Sequence, residues 1–180
     1  MADFMDLVKK RRSIRKFQDK PLPENGVNTL LEAVQWAPSW SNTQCWEMVV
    51  VDNPSIKDAL KDTLMPRNPA TMAVANAPVV LALCGKRNSA GFYKETATTK
   101  YGDWFMFDLG LATQNICLAA RDLGLGTVIV GAFDHNKANE ILNIPQGFDV
   151  VALIPVGYPD QDPQAPKRRE ISEFSHRNTF

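Results

Sequence analysis

Two clusters of cationic side chains carry the clearest chemical signal in this 180-residue sequence. Arg11, Arg12 and Arg15 form the first, and residues 167–169 (KRR) form the second near the other end of the chain. Arginine presents a planar fork of N–H donors that matches phosphate. If the fold brings the clusters together, they form an anion site. If it leaves them apart, they are solvated faces, which is the commoner role of a charge run, or a nuclear-localisation or nucleic-acid patch.

Charge and composition narrow these interpretations. The chain has 20 Lys and Arg residues and 20 Asp and Glu residues, so its formal net charge is zero, which argues against a dedicated nucleic-acid binder. It contains no run of about 20 apolar residues that could span a membrane. Its acidic start lacks the apolar segment of a secretory signal. We therefore expect one soluble domain over residues 1–180, without a nucleic-acid or membrane partner.

The remaining reactive residue types give little support for catalysis or metal binding. Cys45, Cys84 and Cys117 form no CxxC pair, which is typical of reduced thiols in a cytoplasmic protein. Cys45 lies at the start of a predicted strand, so we expect a packed thiol instead of a nucleophile. His135 and His176 each lack a second ligand at metal spacing, so we expect surface or capping roles and no metal site.

Hydrophobic periodicity predicts alternating helices and strands, which indicates an α/β or α+β class. The segment 85–101 is polar and irregular, and it is the best candidate for a mobile loop. The predicted strands are 46–51, 78–84, 127–130 and 150–156; the predicted helices are 3–10, 23–37, one that starts at 53–55, 103–123, and one from Asp134 to Leu142.

The helix predicted over 103–123 is apolar around nearly its whole circumference. A helix of this kind must be buried on all sides, which in so short a chain indicates cover by a partner subunit. Its one carboxylate on that apolar surface, Asp108, could pair across an interface or bond a backbone amide. Gly124 and Gly126 are expected to end the helix. Because they follow a helix and precede a strand, they are not a dinucleotide-binding fingerprint.

Several segments, taken in order, resemble the FMN-dependent nitroreductase family. Any one of them is weak, but together they cover almost the whole chain. In this sequence, Cys45 stands where the family commonly has a proline, and the 85–101 segment is shorter than in longer members. The matching segments are 11–17 (RRSIRKF), 37–46 (APSWSNTQCW), 77–80 (APVV), 108–115 (DLGLATQN), 124–127 (GLGT) with Gly131 and Phe133, and 168–169 (RR).

The resemblance implies an α+β, nitroreductase-like fold with a mixed central sheet flanked by helices. It also implies an intertwined homodimer with two FMN molecules at the subunit interface. In that arrangement the 103–123 helix would form the dimer core, and the two basic clusters would come together.

The same resemblance assigns roles around the cofactor. Arg11 and Ser13 should contact the FMN phosphate and ribityl chain, with Arg12 as a neighbouring contact. Arg15 should lie near flavin N1 and O2, where a cation stabilises the negative charge of the reduced flavin. Arg168, together with Arg169, should close on the phosphate. The other interpretation of Ser13 is that it is a helix-end residue.

A second set of contacts is expected at the flavin ring. The backbone at Val130 and Gly131 should approach flavin N5, since a glycine leaves room for that approach. The family also has a flavin contact in the segment near Asn68 and Thr71. The residues that should come from the partner subunit are Pro38, Ser39, Trp40 and Asn42. Trp40 could instead simply cover the dimer interface.

The implied activity is a ping-pong reduction. NADH or NADPH would give hydride to flavin N5, and a nitroaromatic, quinone or similar small acceptor would then enter the same cavity. The flavin carries this chemistry, so no catalytic side chain is assigned. The alternatives are a non-enzymatic flavin-binding module, or a specialised flavin enzyme of the dehalogenase, azoline oxidase or flavin-fragmenting type on the same fold.

Overall fold

The computed structural model describes residues 3–180 and confirms the α+β class. Short 3-10 turns lie at Trp40–Asn42 and Ile171–Glu173. The helices are α1 (Phe4–Lys10), α2 (Gly26–Gln35), α3 (Pro54–Lys61), α4 (Thr71–Asn76), α5 (Phe105–Asp122) and α6 (His135–Ile141). The strands are β1 (Trp46–Val51), β2 (Val79–Lys86), β3 (Phe92–Tyr93), β4 (Thr96–Ala97), β5 (Gly126–Thr127) and β6 (Phe148–Gly157).

Four strands form the central sheet in the order β1-β2-β6-β5, and each neighbouring pair is antiparallel. The expected mixed character is confined to an isolated parallel bridge between Ser13 and Thr127. Strand β2 is buried from Val79 to Gly85, as its continuous apolar run predicted for an internal strand. The bridge matters for function because it attaches the first basic cluster to the edge of the sheet.

Helices cover both faces of this sheet. Because side chains alternate along a strand, Leu81 and Leu83 of β2 pack with α2 and α5 on one face. Val80 and Ala82 pack on the other face with residues of α3, α4 and α6. None of the helices in residues 3–180 combines the length and the apolar character needed to cross a bilayer.

Helix α5 is the longest element, and one of its faces is uncovered. Leu109 and Ile116 are fully buried against the sheet. On the opposite side, Phe107 is 59% exposed, and Gly110 and Gln114 are exposed as well. In a single chain, the expected burial on all sides is therefore not met. A helix with a second apolar face needs a second covering surface.

The two glycines after α5 have different roles. Gly124 ends the helix as predicted: its φ is +72°, its N–H donates to Arg121 O, and the N–H of Leu125 donates to Ala120 O, which is a Schellman motif. The prediction for Gly126 was wrong. This residue lies in β5, and a Cβ there would come within 2.6 Å of Ile14 Cγ1. Gly126 therefore lets the segment of the first basic cluster pack tightly against the sheet.

The sequence-based boundaries fail mainly at short elements. Helix α4 was not predicted, and the predicted loop 85–101 contains the small β3–β4 hairpin. The strand predicted over 127–130 is reduced to Gly126–Thr127 plus an isolated bridge from Val130 to Leu153. The strand predicted at 46–51 is confirmed at both ends.

Candidate functional site at the two ends of helix α5

The segment 11–15 runs along the sheet edge beside the C-terminal end of α5. The N–H of Ile14 donates to Thr127 O over 2.8 Å, and the Ile14 side chain is buried. Further along, the N–H of Gln18 donates to Tyr158 O. The backbone of the first basic cluster is thus held by β5 and by the chain that follows β6.

Beside this segment is a cavity of about 520 Å³ with a strongly cationic wall. Thr127 and Gln161 add neutral polar groups, and Asp162 is a carboxylate in the lining. The cations that line it are Lys10, Arg11, Arg12 and Arg121. This set suits an anion with several oxygen acceptors, such as a phosphate group. The sequence analysis missed Arg121, because only the tertiary packing of α5 brings its last turn to the cluster.

Within the cluster, the arginines differ in what they already contact. Arg12 Nη1 donates to the carbonyls of Lys9 and Arg11, each over 2.7 Å, so this side chain caps the end of α1. Arg15 is exposed, with Nη1 3.5 Å from Ser13 O. Arg11 lines the cavity without such a cap contact, which makes it the stronger candidate for binding an anion.

The second basic cluster lies in an exposed arm formed by residues 164–180. Arg168 Nη1 donates to Pro166 O over 2.9 Å, and Arg169 contacts Glu173 O and the ring of Phe174. Neither arginine lines the cavity. One chain therefore does not bring the second cluster to the first, and their meeting stays a prediction.

The loop 38–45 forms a second part of the candidate site, at the N-terminal end of α5. Ser41, Asn42 and Gln44 have φ values of +46°, +56° and +46°, a conformation that L-residues rarely adopt. Ser39 Oγ accepts from the Gln44 N–H over 3.0 Å. Pro38 is exposed. Strained backbone of this kind persists only where its surroundings hold it.

Asp108 supplies that hold. Its side chain is 1% exposed, and its Oδ2 accepts from the Trp40 N–H over 3.0 Å. The Cys45 thiol lies 3.5 Å from the same oxygen. Of the two roles predicted for Asp108, the bond to a backbone amide is therefore observed. Because Cys45 takes part in this contact, the cysteine in place of the family's proline still anchors the loop.

Aromatic side chains surround Trp40. Its ring centroid is 5.0 Å from that of Trp104, which in turn is 5.4 Å from Phe107 and 6.3 Å from Tyr101. Trp104 Nε1 donates to Thr99 Oγ1 over 2.7 Å. The segment after β2 thus adds an aromatic wall to the loop, and this wall can bind the face of a flat organic molecule.

A third set of predicted site residues is grouped around Gly131. Val130 is buried and pairs with Leu153, whereas Gly131 is exposed. A Cβ added to Gly131 would meet no other described atom within 4 Å, and its N–H has no acceptor within residues 3–180. Asn68 lies alongside, since its Nδ2 donates to Ala132 O over 3.2 Å. A planar group could approach this open backbone directly.

The predicted site residues do not all meet in one chain. Trp40 is tied to Asp108 in the first turn of α5, while the cationic cavity includes Arg121 in the last turn. These two helix positions are thirteen residues apart, which corresponds to about 20 Å along the axis. Within one chain, the loop and the cavity therefore lie at opposite ends of α5.

The three cysteines are free and buried, as expected for packed thiols. Burial, followed by the nearby Asp108 carboxylate, raises the pKa of Cys45 to about 12 from an ordinary 9.0. Burial, followed by Glu47, raises the pKa of Cys84 to about 12. Burial also raises the pKa of Cys117. All three thiols are therefore protonated near neutral pH, which rules out a thiolate nucleophile there.

Comparison with known proteins supports one family. The model described as "Nitroreductase family" matches residues 8–158. A protein of Methanothermobacter thermautotrophicus, named provisionally as an NADH dehydrogenase/NAD(P)H nitroreductase, is 30% identical over 89% of this chain and 80% of its own length.

Two solved structures have closely similar folds. A nitroreductase family protein from Streptococcus pneumoniae has a TM-score of 0.84 and 29% identity, and the match covers 98% of this chain and 100% of that one. Iodotyrosine deiodinase bound to FMN and 3-iodo-L-tyrosine has a TM-score of 0.81 over 99% and 100% of the two chains. At 23% identity, the deiodinase shows likeness of fold alone.

The thiols make the protein sensitive to alkaline conditions. A pKa that is higher in the folded state gives stability that is complete below pH 9.0 and is lost as pH rises towards 12. Each thiol contributes a slope of at most about 1.4 kcal/mol per pH unit. We expect Cys45→Ala to make the fall in the free energy of unfolding between pH 9 and pH 11 shallower, as measured by urea denaturation.

Thiol labelling gives the matching control. At pH 8 the folded protein should react slowly with a disulfide reagent, and all three cysteines should react after unfolding. Prompt labelling of Cys45 in the folded protein, or an unchanged alkaline slope in the variant, would contradict this account.

Proposed function

The chain belongs to the nitroreductase family, and we propose that it is an FMN-dependent reductase that oxidises NADH or NADPH and reduces small acceptors such as nitroaromatics or quinones. The observation that carries the proposal is the cationic cavity, whose lining residue Thr127 is followed four residues later by the open backbone at Gly131. The first suits a phosphate monoester, and the second suits the flat edge of a ring system.

The residues present fit FMN. Arg11 would hold the phosphate, supported by Arg121 and by Lys10 in the same wall. Ser13 lies on the segment between Arg11 and Arg15, where the family places the ribityl chain. Bound FMN supplies the two-electron redox chemistry, which the side chains do not provide. The proposal includes Arg168 and Arg169 closing on the phosphate when the exposed arm is in place.

The chain's own groups then orient the cofactor and tune it. Arg15 is an exposed cation on the segment that follows Ser13, and a positive charge beside the ring stabilises negative charge there. Gly131 is exposed, and its N–H is a donor with no acceptor within residues 3–180. Pre-set donors of this kind need no rearrangement when charge develops.

A homodimer is part of the proposal because the site is incomplete without a second copy. Trp40 is bonded to Asp108 at one end of α5, and the cavity is lined by Arg121, about 20 Å further along the helix axis. In a two-fold pair of α5 helices, the loop of one chain would lie at the cavity of the other. The exposed face of α5 and the exposed arm 164–180 both lack cover in a single chain.

The acceptor would bind against the aromatic wall. Trp40 and Trp104 are both half-buried, while Phe107 and Tyr101 are largely exposed. Aromatic faces stack on flat, apolar molecules, which fits nitroaromatic and quinone acceptors. The three free thiols suit a reducing compartment, and a cytoplasmic location belongs to the proposal.

The first test is an absorbance spectrum of the purified full chain, with FMN added where it is missing. We expect flavin bands that bleach when NADH or NADPH is added without oxygen and that return when an acceptor is added. Bands that persist would favour a non-enzymatic flavin-binding module. Failure to bind FMN would overturn the proposal.

Two alanine variants show whether the cationic cavity holds the phosphate. Arg11→Ala should weaken FMN binding by about tenfold or more, since a lost charge-assisted hydrogen bond costs about 1.5–3 kcal/mol. Lys16→Ala is the matched control, because Lys16 is an exposed cation that does not line the cavity. Equal losses in the two variants would mean that the phosphate lies elsewhere.

A single methyl group tests the approach at Gly131. Gly131→Ala should leave the free energy of unfolding of the flavin-free protein nearly unchanged, because the added Cβ meets no described atom within 4 Å. The same methyl group would occupy the space through which the flavin ring is proposed to approach the Gly131 backbone. FMN affinity should therefore fall. Fluorescence titration with FMN measures the effect. Unchanged affinity would show that the ring does not approach this backbone.

A variant on the exposed face of α5 tests the dimer. Gly110→Glu should not harm the isolated fold, because glycine is the poorer helix former by about 0.5–1 kcal/mol and nothing lies within 4 Å of the added Cβ. It should shift sedimentation from dimer towards monomer and weaken FMN binding. Asn136→Glu, exposed on α6, is the charge-matched control. A dimer that tolerates Gly110→Glu would require another interface.

A further inference from the structure

His135 lies between two carbonyl oxygens, and one of them belongs to the glycine of the candidate site. Its Nδ1 is 2.8 Å from Val150 O, and its Nε2 is 3.2 Å from Gly131 O. The imidazole ring also lies against Phe133, with ring centroids 4.0 Å apart. The sequence analysis predicted only a surface or capping role for this residue. The side chain is indeed exposed, but it links α6 both to β6 and to Gly131.

The two contacts depend on the protonation state of the imidazole ring. A carbonyl oxygen only accepts, so each contact is a hydrogen bond only if the ring nitrogen carries a proton. Neutral imidazole has one N–H, and imidazolium has two. Both bonds therefore form together only in the protonated ring. When the ring is neutral, only one bond remains.

The Val150 bond is the one that is kept. It is the shorter contact, and the peptide before it is also held by α6, because the Val150 N–H donates to Asn139 Oδ1 over 2.9 Å. Asn139 also donates to Asp149, which ties α6 to β6. The Gly131 carbonyl has no other donor within residues 3–180. Its neighbours are held more firmly, because Val130 O accepts from the Leu153 N–H and Ala132 O accepts from the Met65 N–H. Loss of the second proton would therefore release the Gly131 carbonyl.

We propose that protonated His135 is a positioning residue that holds the Gly131 carbonyl and thereby fixes how the Gly131 backbone faces its ligand. Its effect on FMN rests on the proposed function, whereas its hold on Gly131 does not. At a pH where the ring is neutral, the Gly131 peptide gains freedom, and ordering it again costs binding free energy.

The charged groups on the surrounding elements are mostly engaged with one another. Asp134 pairs with Lys137, Arg87 pairs with Asp149, and Lys61 pairs with Asp58. The charged residues on the elements packed around His135 are Asp134, Lys137 and Glu140 of α6 and its cap, Asp149 of β6, and Lys57, Asp58 and Lys61 of α3. Most of these charged side chains form ion pairs with each other or with a neighbour. Of these groups and His135, only the His135 ring contacts the Gly131 carbonyl directly.

Two variants separate the two contacts. An asparagine amide reaches roughly where Nδ1 lies, and a glutamine amide reaches roughly where Nε2 lies. His135→Asn should thus keep the Val150 bond and lose the Gly131 bond, while His135→Gln should keep a donor for Gly131 that does not titrate. Both are neutral, so they also match each other in charge.

The first readout needs no flavin. In the full chain, the carbonyl carbon shift of Gly131 should change together with the ring shifts of His135 in an NMR pH series. This dependence should vanish in both variants, with the buried Gly26 as the reference. A Gly131 shift that moves no more than that of Gly26 in the wild-type protein would overturn the proposal.

The second readout is FMN affinity across the same pH series. The wild-type protein should bind FMN about fivefold more weakly when the His135 ring is neutral than when it is protonated, as expected for one lost hydrogen bond. The FMN phosphate itself ionises at pH ~6, so the proteins are compared with one another at each pH. His135→Asn should match the wild-type protein with a neutral ring, and His135→Gln should match it with a protonated ring. Equal affinity of the two variants would overturn the positioning role. A wild-type protein that never binds FMN would instead refute the proposed function, and the NMR result would still decide the contact.

Discussion

The buried carboxylate of Asp108 is the contact on which the candidate site depends. A carboxylate that is 1% exposed is stable only where donors meet it, and here they come from the Trp40 N–H and the Cys45 thiol. The loop between those residues can therefore keep left-handed backbone at Ser41 and Asn42. The same contact sets Trp40 against Trp104, and burial together with the Asp108 carboxylate raises the pKa of Cys45 and keeps its thiol protonated. The same buried contact therefore stabilises the packing of α5 and determines the conformation of the site loop.

Helix α5 also connects the two parts of the site across the width of the domain. Its first turn holds the aromatic loop, and its last turn brings Arg121 to the cationic cavity. Its inner face packs on the sheet through Leu109 and Ile116. Its outer face, which includes Phe107 and Gly110, is exposed to solvent in the single chain. Helix α5 has the aromatic loop at one end and the cationic cavity at the other. This arrangement suits a two-fold symmetric pair of chains, in which the loop end of one α5 lies beside the cavity end of the other.

Strong hydrophobic patterns explain what the sequence could predict. The ends of β1 were predicted correctly, and α5 was found to within two residues, because long apolar segments dominate local preferences. The six-residue α4 and the two-residue strands β3 and β4 were missed, since elements so short are stabilised by their neighbours and not by their own composition. The residues expected to contact FMN came from ordered motif segments, which backbone periodicity alone would not have supplied.

Other residues of the candidate site could be identified only from the tertiary structure. Arg121 joins the cationic wall because α5 ends beside the 11–15 segment, and Gly126 is small because Ile14 packs on it. His135 looked like an isolated surface histidine, and only the fold places it between two carbonyl groups. No spacing rule along the chain encodes the contacts of Arg121, of Gly126 or of His135 with Val150, because each joins elements that are distant in sequence.

The buried thiols determine where oxidants would act on this protein. Oxidation of cysteine to sulfenic acid starts from the thiolate, and the three cysteines are buried and protonated. A methionine thioether needs no such ionisation, and Met65, Met72 and Met106 are all more than half exposed. Peroxide would therefore first produce methionine sulfoxide at the surface and leave the thiols of the core intact. At Met106 that change would place a polar, chiral group at the N-terminal end of α5, close to the aromatic wall.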